Sequence, residues 1–423
     1  MGPMLWPLQR RLSWQTFIIL LVGLSTRIAA SALQTVKGFS GSVGVLGDLL
    51  GVGWFIDFKI YYLAQVHSLL AGGVPYLTFG YWSMPGFVYL LAGGFLLGGY
   101  LGAGAVVFLS DALTGLVIYK IAKLRAPDSV ALASALIYII LPLTVISEGY
   151  LWLDMQPMLL FILLGVYCLR TDRLFLSGLL IGAGVLMKQE AIPVLVVMLA
   201  FVAMSPGWRQ RMKAFGSGLI SLIALGLGPF LIVAPGNFIN DVTFLPLFTA
   251  TQIPSPITKA YDFTTINPVC SITANGVNMV VSGPASCLSE IPGGLAVARV
   301  EAILNSVYAP IALPLAVFVG ILVVMFIRKR MVGVETVSSY AIALGFTLMT
   351  FHGIFGYYLI PVYALLLASV NDARGLLILT PLLVVSVLLG TRILLFGVFL
   401  TLIALIVYRV DAAKAVVGNV GKI

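Results

Sequence analysis

The chain has 423 residues, of which 61% are hydrophobic and only 9% are charged, and its mean hydropathy is +1.10. This composition excludes a soluble globular domain and is typical of an integral membrane protein. The net charge of +9 does not indicate a nucleic-acid partner, because the basic residues cluster in short loops between apolar runs, where the positive-inside rule places them.

The basic loops predict a topology. The first apolar run, about 14–33, follows Arg10 and Arg11, and later apolar runs are separated by basic loops that we expect on the cytoplasmic side: Lys120/Lys123/Arg125, Arg170/Arg173, Arg209/Arg211/Lys213, Arg328/Lys329/Arg330, Arg374 and Arg409/Lys414. From residue 129 onward, successive basic loops are far enough apart for two crossings of roughly 15–20 residues each. The hairpins therefore turn on the outer face, at 148–153, 188–190, 235–306, 352–353 and 391–392.

Segment 83–119 is long enough for two short helices broken at Gly98-Gly99, yet the charges at its ends permit only one net crossing. We predict a partly embedded helix at 83–98 and the crossing at 101–119. The expected fold is an all-α polytopic bundle of about 12 spans, with one membrane module at 1–210 and a second at 211–423.

Two predicted outer segments, 34–82 and 235–306, are longer than connectors need to be, and long ordered loops are usually functional. The second contains Cys270 and Cys287, and a pair of cysteines on an oxidising face predicts one disulfide. Cys168 falls in a span, where we expect it to be a small apolar residue.

Nearly all the acidic and histidine side chains that could do chemistry fall on the predicted outer face. Each has a competing explanation: Asp57 could be a plain interfacial charge, and His352 could cap a helix. Lys188 could form a structural ion pair with Glu190, Asp154 or Glu148. If the helix continues past Lys188, however, Glu190 would not face it, because neighbours on a helix face are three or four residues apart. Charged groups at an apolar boundary are costly, so we expect them to be paired or functional.

Motifs of soluble enzymes are absent: the sequence has no phosphate loop, no paired CxxC and no HExxH, and it contains only two histidines. We therefore expect no cofactor and assign no metal ligands, and the dependence of the activity on a metal stays open.

Four stretches, taken in order, resemble the GT-C glycosyltransferases. The stretch that begins IDFKIYYLAQ and runs on to a Gly-Val-Pro-Tyr turn is similar to the family's first outer loop. FLSDALTGLVIYKI, with Asp111, resembles the helix that follows it. The stretch from Glu148 to Lys188 resembles an outer acid, a long helix, a basic turn, a glycine-rich helix and a lysine, and FHGIFGYYLIPVYALL resembles a late motif of mannosyltransferases. The closest resemblance is to GPI-type and related polyprenyl-phosphate-dependent mannosyltransferases.

The resemblance implies a hexosyltransferase of the plasma membrane or endoplasmic reticulum that acts on the outer or lumenal side. The sugar, expected to be mannose, would come from a polyprenyl-phosphate or dolichyl-phosphate donor, and the acceptor would be a lipid-linked molecule or a protein. Asp57 would be the general base, and Lys188, Arg27 and Arg392, with Arg299 as a further candidate, would hold the donor phosphate. The expected substrate-binding residues are Tyr61, Tyr62, Tyr76, Glu148, Asp154, Glu190, His352 and Tyr357.

Two other functions stay open. A transporter or flippase for a lipid-linked or anionic solute would place charges at the membrane midplane and have two related halves. A non-catalytic subunit of a membrane glycosylation complex would tolerate the loss of Asp57.

The topology predicts which positions an impermeant thiol reagent reaches in intact cells. In a chain without its native cysteines, probes at 150 and 260 should be labelled from outside, whereas probes at 172 and 329 should be spared. Labelling at 172 from outside would overturn the topology and the shared outer site.

Overall fold

A computed structural model of the protein describes residues 13–37, 58, 62–81, 83–242, 269–274, 277–282 and 360–388. The apolar runs in this part form helices, because a backbone in lipid must satisfy its hydrogen bonds internally. In chain order the helices are α1 (Trp14–Lys37), α2 (Leu63–Leu70), α3 (Gly86–Lys123), α4 (Asp128–Ile140), α5 (Met155–Arg170), α6 (Leu174–Met187), α7 (Ile192–Met204), α8 (Trp208–Val233), α9 (Pro235–Val242), α10 (Ile360–Ala368) and α11 (Ala373–Leu388).

Short irregular helices join some of these elements. A turn at Pro142–Thr144 leads into a π-helix at Val145–Tyr150, and a 3-10 helix at Gln189–Ala191 precedes α7. Two strands, β1 (Val269–Ala274) and β2 (Val277–Ser282), pair antiparallel within the predicted outer segment 235–306. The helical fold class is confirmed, whereas the sequence analysis did not predict this hairpin.

Three helices of the described residues are long and apolar enough to cross a membrane: Trp14–Leu33 within α1, then α3 and α8. A fourth span is possible if Asp128–Ile140 and Pro142–Tyr150, which meet at 48°, count as one. The predicted number of twelve crossings includes residues outside the described part and stays a prediction.

Helix α3 is broken where the sequence predicted a break. Gly98 and Gly99 have non-helical backbone angles, and Gly99 has a φ of 58°, in the left-handed region that favours glycine. A Cβ atom at Gly94 would lie 2.6 Å from the carbonyl oxygen of Gly102. The two arms of α3 therefore touch next to the break, and only residues without side chains permit that approach.

The basic loops that the structure describes, around Arg125, Arg170 and Arg211, lie together at one end of the bundle. Arg211 pairs with Asp172 at 2.6 Å, and Arg125, Arg170 and Asn371 line one small depression there. The turns that carry Glu148, Asp154 and Lys188 lie together elsewhere: Lys188 Nζ is 2.8 Å from Asp154 Oδ2, and Asp154 is an electrostatic neighbour of Glu148. Within the described residues, the basic loops and the acid-bearing turns are thus apart, while the side of the membrane on which each lies stays a prediction.

Helices α6 and α8 pack through glycines. A Cβ atom at Gly178 would lie 1.9 Å from the carbonyl oxygen of Phe215, and one at Gly218 would lie 2.1 Å from that of Phe175. These helix backbones are in direct contact, so a single methyl group must separate them.

We expect Gly218→Ala to lower the stability of the folded protein in detergent by about 1–3 kcal/mol, because overpacking forces the helices apart. The matched control is Gly216→Ala on the same helix, where a Cβ atom would meet nothing within 4 Å. The control should be neutral or slightly stabilising, because alanine favours a helix over glycine. Equal unfolding midpoints for the two variants, measured by thermal denaturation, would contradict the described contact.

Candidate functional site

The candidate site begins at a buried ion pair between α1 and α3. Arg27 and Asp111 are both fully buried, and the Arg27 Nε and Nη2 groups contact Asp111 Oδ2. The remaining N–H groups of Arg27 donate to Thr26 Oγ1 at 2.9 Å, to Thr144 Oγ1 at 3.0 Å and to the carbonyl of Ile139. All five N–H donors of the guanidinium are therefore used inside the protein. A charged arginine side chain can be buried here because each of its N–H groups has an acceptor.

Two polar residues extend this ion pair into the bundle. The Tyr138 hydroxyl on α4 lies 2.6 Å from Asp111 Oδ1 and 2.9 Å from Gln156 Oε1 on α5. Tyr138 and Gln156 are both fully buried. The polar groups of α1, α3, α4 and α5 thus lie next to one another in one chain between apolar helix faces, although the single Tyr138 hydrogen can serve only one of its two contacts.

Glu148 lies beyond the end of this chain, on the π-helix. Its side chain is 0% exposed, and within the described residues neither carboxyl oxygen has a hydrogen-bond partner. Its electrostatic neighbours are Asp111, Asp154 and Arg27, and the Gln156 amide lies beside it without a hydrogen bond of normal geometry. A π-helical turn often occurs at a functional site, and a buried carboxyl group without a partner requires an explanation.

A second charged group lies at the start of α5 and the end of α6. Lys188 Nζ is 2.9 Å from Asp154 Oδ1 and 2.8 Å from Oδ2, and it is 3.5 Å from Glu190 Oε1. All three side chains are less than a tenth exposed. The ion pair that the sequence analysis held open as an alternative is therefore present, with Asp154 and Glu190 as the partners.

The contact with Glu190 arises because α6 ends at Met187. Lys188 has an extended backbone, with φ −160° and ψ 140°, and the chain turns through the 3-10 helix before α7 begins with Pro193 in its first turn. The expectation that Glu190 would not face Lys188 held only for a continuing helix. The extended residue removes that condition and brings Lys188 and Glu190 together.

The loop before α3 and the turn before α5 cover this group. Burial raises the pKa of Tyr81, the Asp154 carboxylate adds to this effect and Lys188 opposes it, so the phenol keeps its proton. Trp152, at φ 53°, donates from its indole nitrogen to Ser31 Oγ and to the carbonyl of Gly149. A Cβ atom at Gly104 would lie 2.6 Å from its ring. The turn that carries Asp154 is thus held in a strained conformation by packing.

Of the predicted tyrosines, Tyr62 packs edge-on against Phe58 and Phe87. Tyr76 is buried, donates from its hydroxyl to the carbonyl of Ser83 and contacts three aromatic rings, Tyr81, Phe230 and Phe238. Asn237 on α9 donates to the backbone carbonyl of Tyr76. Tyr76 therefore joins the first outer segment to the start of the second.

Several predictions lie outside the described residues and stay predictions: Asp57, Tyr61, Arg299, Arg392, His352, Tyr357, Cys287 and the side chain of Cys270. Cys168 is buried and free, as expected. Within the described part of the chain, no group of three or more His, Cys, Asp or Glu side chains is arranged to hold a metal ion.

Tyr138, Gln156 and Tyr81 are site residues that the sequence did not predict. The available signal was their position: Tyr138 and Gln156 are polar interruptions of apolar helices, and such residues usually face the interior of a bundle. The contacts of Tyr138 with Asp111 and Gln156 join three separate helices, so no local pattern predicts them.

A sequence profile of the family described as dolichyl-phosphate-mannose-protein mannosyltransferase matches residues 83–233. The predicted resemblance to GT-C glycosyltransferases is thus confirmed over the range that holds Asp111, Glu148, Asp154 and Lys188. No curated protein matches the sequence.

Among solved structures, the chain is similar to the crystal structure of ArnT from Cupriavidus metallidurans bound to undecaprenyl phosphate, with 16% identity and a TM-score of 0.46. The similarity covers 86% of this chain and 59% of the ArnT chain.

We expect Asp111→Ala to destabilise the protein by about 3–5 kcal/mol, because it leaves the buried Arg27 without its counter-ion. The matched control is Lys123→Ala on the same helix, which removes an ion pair with Asp128 whose side chains are about half exposed. This control should leave the unfolding midpoint in detergent unchanged, because exposed pairs contribute little. A small effect of Asp111→Ala would show that water or lipid headgroups reach Arg27.

Proposed function

We propose that the protein is an integral membrane glycosyltransferase of the GT-C type. It moves a hexose, which we take to be mannose, from a polyprenyl-phosphate donor to a lipid-linked or protein acceptor at the outer or lumenal face. One observation carries the proposal: the range that matches the mannosyltransferase family contains Asp154 and Lys188, which form a buried ion pair away from the basic loops. A family match by itself would support the fold alone.

The proposed donor follows from the proposed side of the membrane. Activated nucleotide sugars are cytoplasmic, so an enzyme on the outer face needs a sugar that a lipid carrier has brought across. In the proposed reaction, the acceptor oxygen attacks the anomeric carbon, the bond to the donor phosphate breaks and the configuration inverts. Asp57 removes the acceptor proton as general base, and the lipid phosphate leaves with the bonding electrons.

Lys188 is the cation that we assign to the departing phosphate. A preorganised cation stabilises charge that develops in the transition state, and such a contact contributes a few kcal/mol, on the order of 3. The described arrangement sets a condition: with Asp154 and Glu190 ionised, the three side chains carry a net charge of −1. The phosphate must therefore share the ammonium group with Asp154 or displace Glu190, whose contact with Lys188 is the longer one.

The other proposed phosphate ligands differ in what supports them. Arg27 directs all five N–H groups at the protein, so its contacts favour a structural role, and it would bind phosphate only by exchanging Thr26 or Thr144 for the ligand. Arg392 remains the proposed helper, since an arginine fork suits phosphate geometry.

A transporter or flippase is the second candidate, because Arg27 and Asp111 lie inside helices long enough to span a membrane. Charges within spans often mark a transport path. Against this function, Arg27 has no donor left for a passing anion. The contacts of this pair are those of a structural group.

The deciding experiment supplies purified protein in detergent with polyprenyl-phosphate mannose or polyprenyl-phosphate glucose plus a lipid extract. We expect mannose transfer by the wild type and a loss of about 10²–10⁴-fold in Asp57→Asn, because the amide keeps the shape of the base but not its basicity. Lys188→Ala should lower turnover, and Lys188→Arg should restore it only in part, because a planar fork differs from a point charge.

The control variant is Asp172→Asn, which removes an exposed acid at the basic end and should transfer mannose at the wild-type rate. Asp57→Asn should still bind the donor. Transfer by Asp57→Asn at the wild-type rate would disprove the assigned base. If neither sugar is transferred, and the protein reconstituted into proteoliposomes moves the donor across the membrane, the transporter function replaces this one. If Lys188→Ala and Glu190→Ala both unfold the protein, Lys188 is half of a structural pair.

A further inference from the structure

Glu148 is among the predicted substrate-binding residues but carries out no step of the proposed reaction, and its buried carboxyl group has no hydrogen-bond partner among the described residues. The charged and titratable groups that face it are Asp111 on α3, Asp154 before α5, Arg27 on α1 and Tyr138 on α4. Asp154 in turn contacts Lys188, which contacts Glu190. An ionised Glu148 would add a third buried carboxylate between Asp111 and Asp154 with no donor to stabilise it.

The contacts of the Tyr138 hydroxyl group cannot all be hydrogen bonds as they stand. Its hydroxyl group is within bonding distance of Asp111 Oδ1, at 2.6 Å, and of Gln156 Oε1, at 2.9 Å. A phenol has one hydrogen to donate, and Asp111, ionised against Arg27, is the stronger acceptor. The contact with Gln156 then brings two acceptor oxygens together. Meanwhile the Gln156 Nε2 group, a donor, has no partner in the described part of the structure.

A half-turn of the Gln156 amide removes this conflict. Oxygen and nitrogen of an amide have nearly the same shape, and their assignment follows from the hydrogen-bond network. After the turn, Nε2 donates to the Tyr138 oxygen, and Oε1 takes the place beside Glu148. An acceptor beside a carboxyl group requires a proton between them.

We propose that Glu148 is held as a neutral carboxylic acid whose O–H donates to Gln156, which completes a hydrogen-bond chain through Tyr138 and Asp111 to Arg27. One proton and one amide rotation give partners to Glu148, Gln156 and Tyr138 together. Buried networks are stable when every member is satisfied and costly when one is not.

Glu148 is on this basis a positioning residue for Asp154. Glu148 lies six residues before Asp154, on the turn that also holds the strained Trp152. The proposed hydrogen-bond chain joins this turn to the ion pair between α1 and α3. A neutral Glu148 also adds no negative charge beside Asp154, the carboxylate that contacts Lys188. That second consequence rests on the proposed function, since it matters to a departing phosphate.

Infrared difference spectroscopy tests the protonation directly and needs no activity. Wild-type protein at neutral pH should show the carbonyl band of a protonated carboxylic acid, which shifts in D₂O and is lost in Glu148→Gln. Gln156→Leu should move the frequency of the band, because the hydrogen bond is lost. Asp172→Asn, the matched acid at the other end, should leave the band unchanged. If Glu148→Gln fails to fold, Glu148→Asp serves in its place and should shift the band.

Absence of the band in the wild type, or a band that no change at Glu148 alters, would overturn the proposal. A carboxylate that accepts from Gln156 in its present orientation would give that result. In the transfer assay, wild-type turnover should fall as rising pH ionises Glu148, while the turnover of Glu148→Gln, whatever its level, should not change with pH over the same range. If the wild type transfers no sugar at all, the proposed function fails, and the infrared band still decides the state of Glu148.

Discussion

The buried ion pair between Arg27 and Asp111 is the interaction on which the described structure depends. It joins the first span to the broken helix α3, and the other donors of Arg27 bind the end of α4 and the turn after it. A guanidinium can be buried only where all its donors find acceptors. This condition fixes the positions of three helices and one turn at a single point, and the acid-bearing turn leads on from there.

Close helix packing supplies the rigid frame around this point. Glycines allow backbone contact between α6 and α8 and between the arms of α3, and Gly104 leaves room for the ring of Trp152. In a membrane the hydrophobic effect does not drive helices together, so association relies on such contacts and on buried polar groups. Both are present here, and together they hold the 145–154 turn in a conformation that includes a π-helix and a residue with positive φ.

The polar groups divide into two sets with different chemistry. The set around Arg27 has matched donors and acceptors, which is the property of a structural network. In the set around Lys188, the carboxylates of Asp154 and Glu190 contact the ammonium group, and Tyr81 lies within electrostatic reach of Asp154 and Lys188. Glu148 has electrostatic neighbours in both sets, so a proton on Glu148 removes a negative charge from the vicinity of Asp111 and Asp154. The set around Arg27 therefore holds the turn that carries Asp154 in place, and Glu148 links the two sets.

The sequence by itself determined the class of the protein, the helices, the break at Gly98-Gly99, the grouping of basic loops and the family resemblance. These features are local, because the length of an apolar run, its glycines and its flanking charges can all be read from a single segment of the sequence. It also identified Glu148, Asp154, Lys188 and Glu190 as charged groups in need of partners. The partners themselves were decided by tertiary structure, because Arg27 and Asp111 are 84 residues apart and Asp154 and Lys188 are 34 apart. The end of α6 at Lys188 and the contacts of Tyr138 with Gln156 arise from helix packing, and no pattern within a single segment encodes which buried side chains meet.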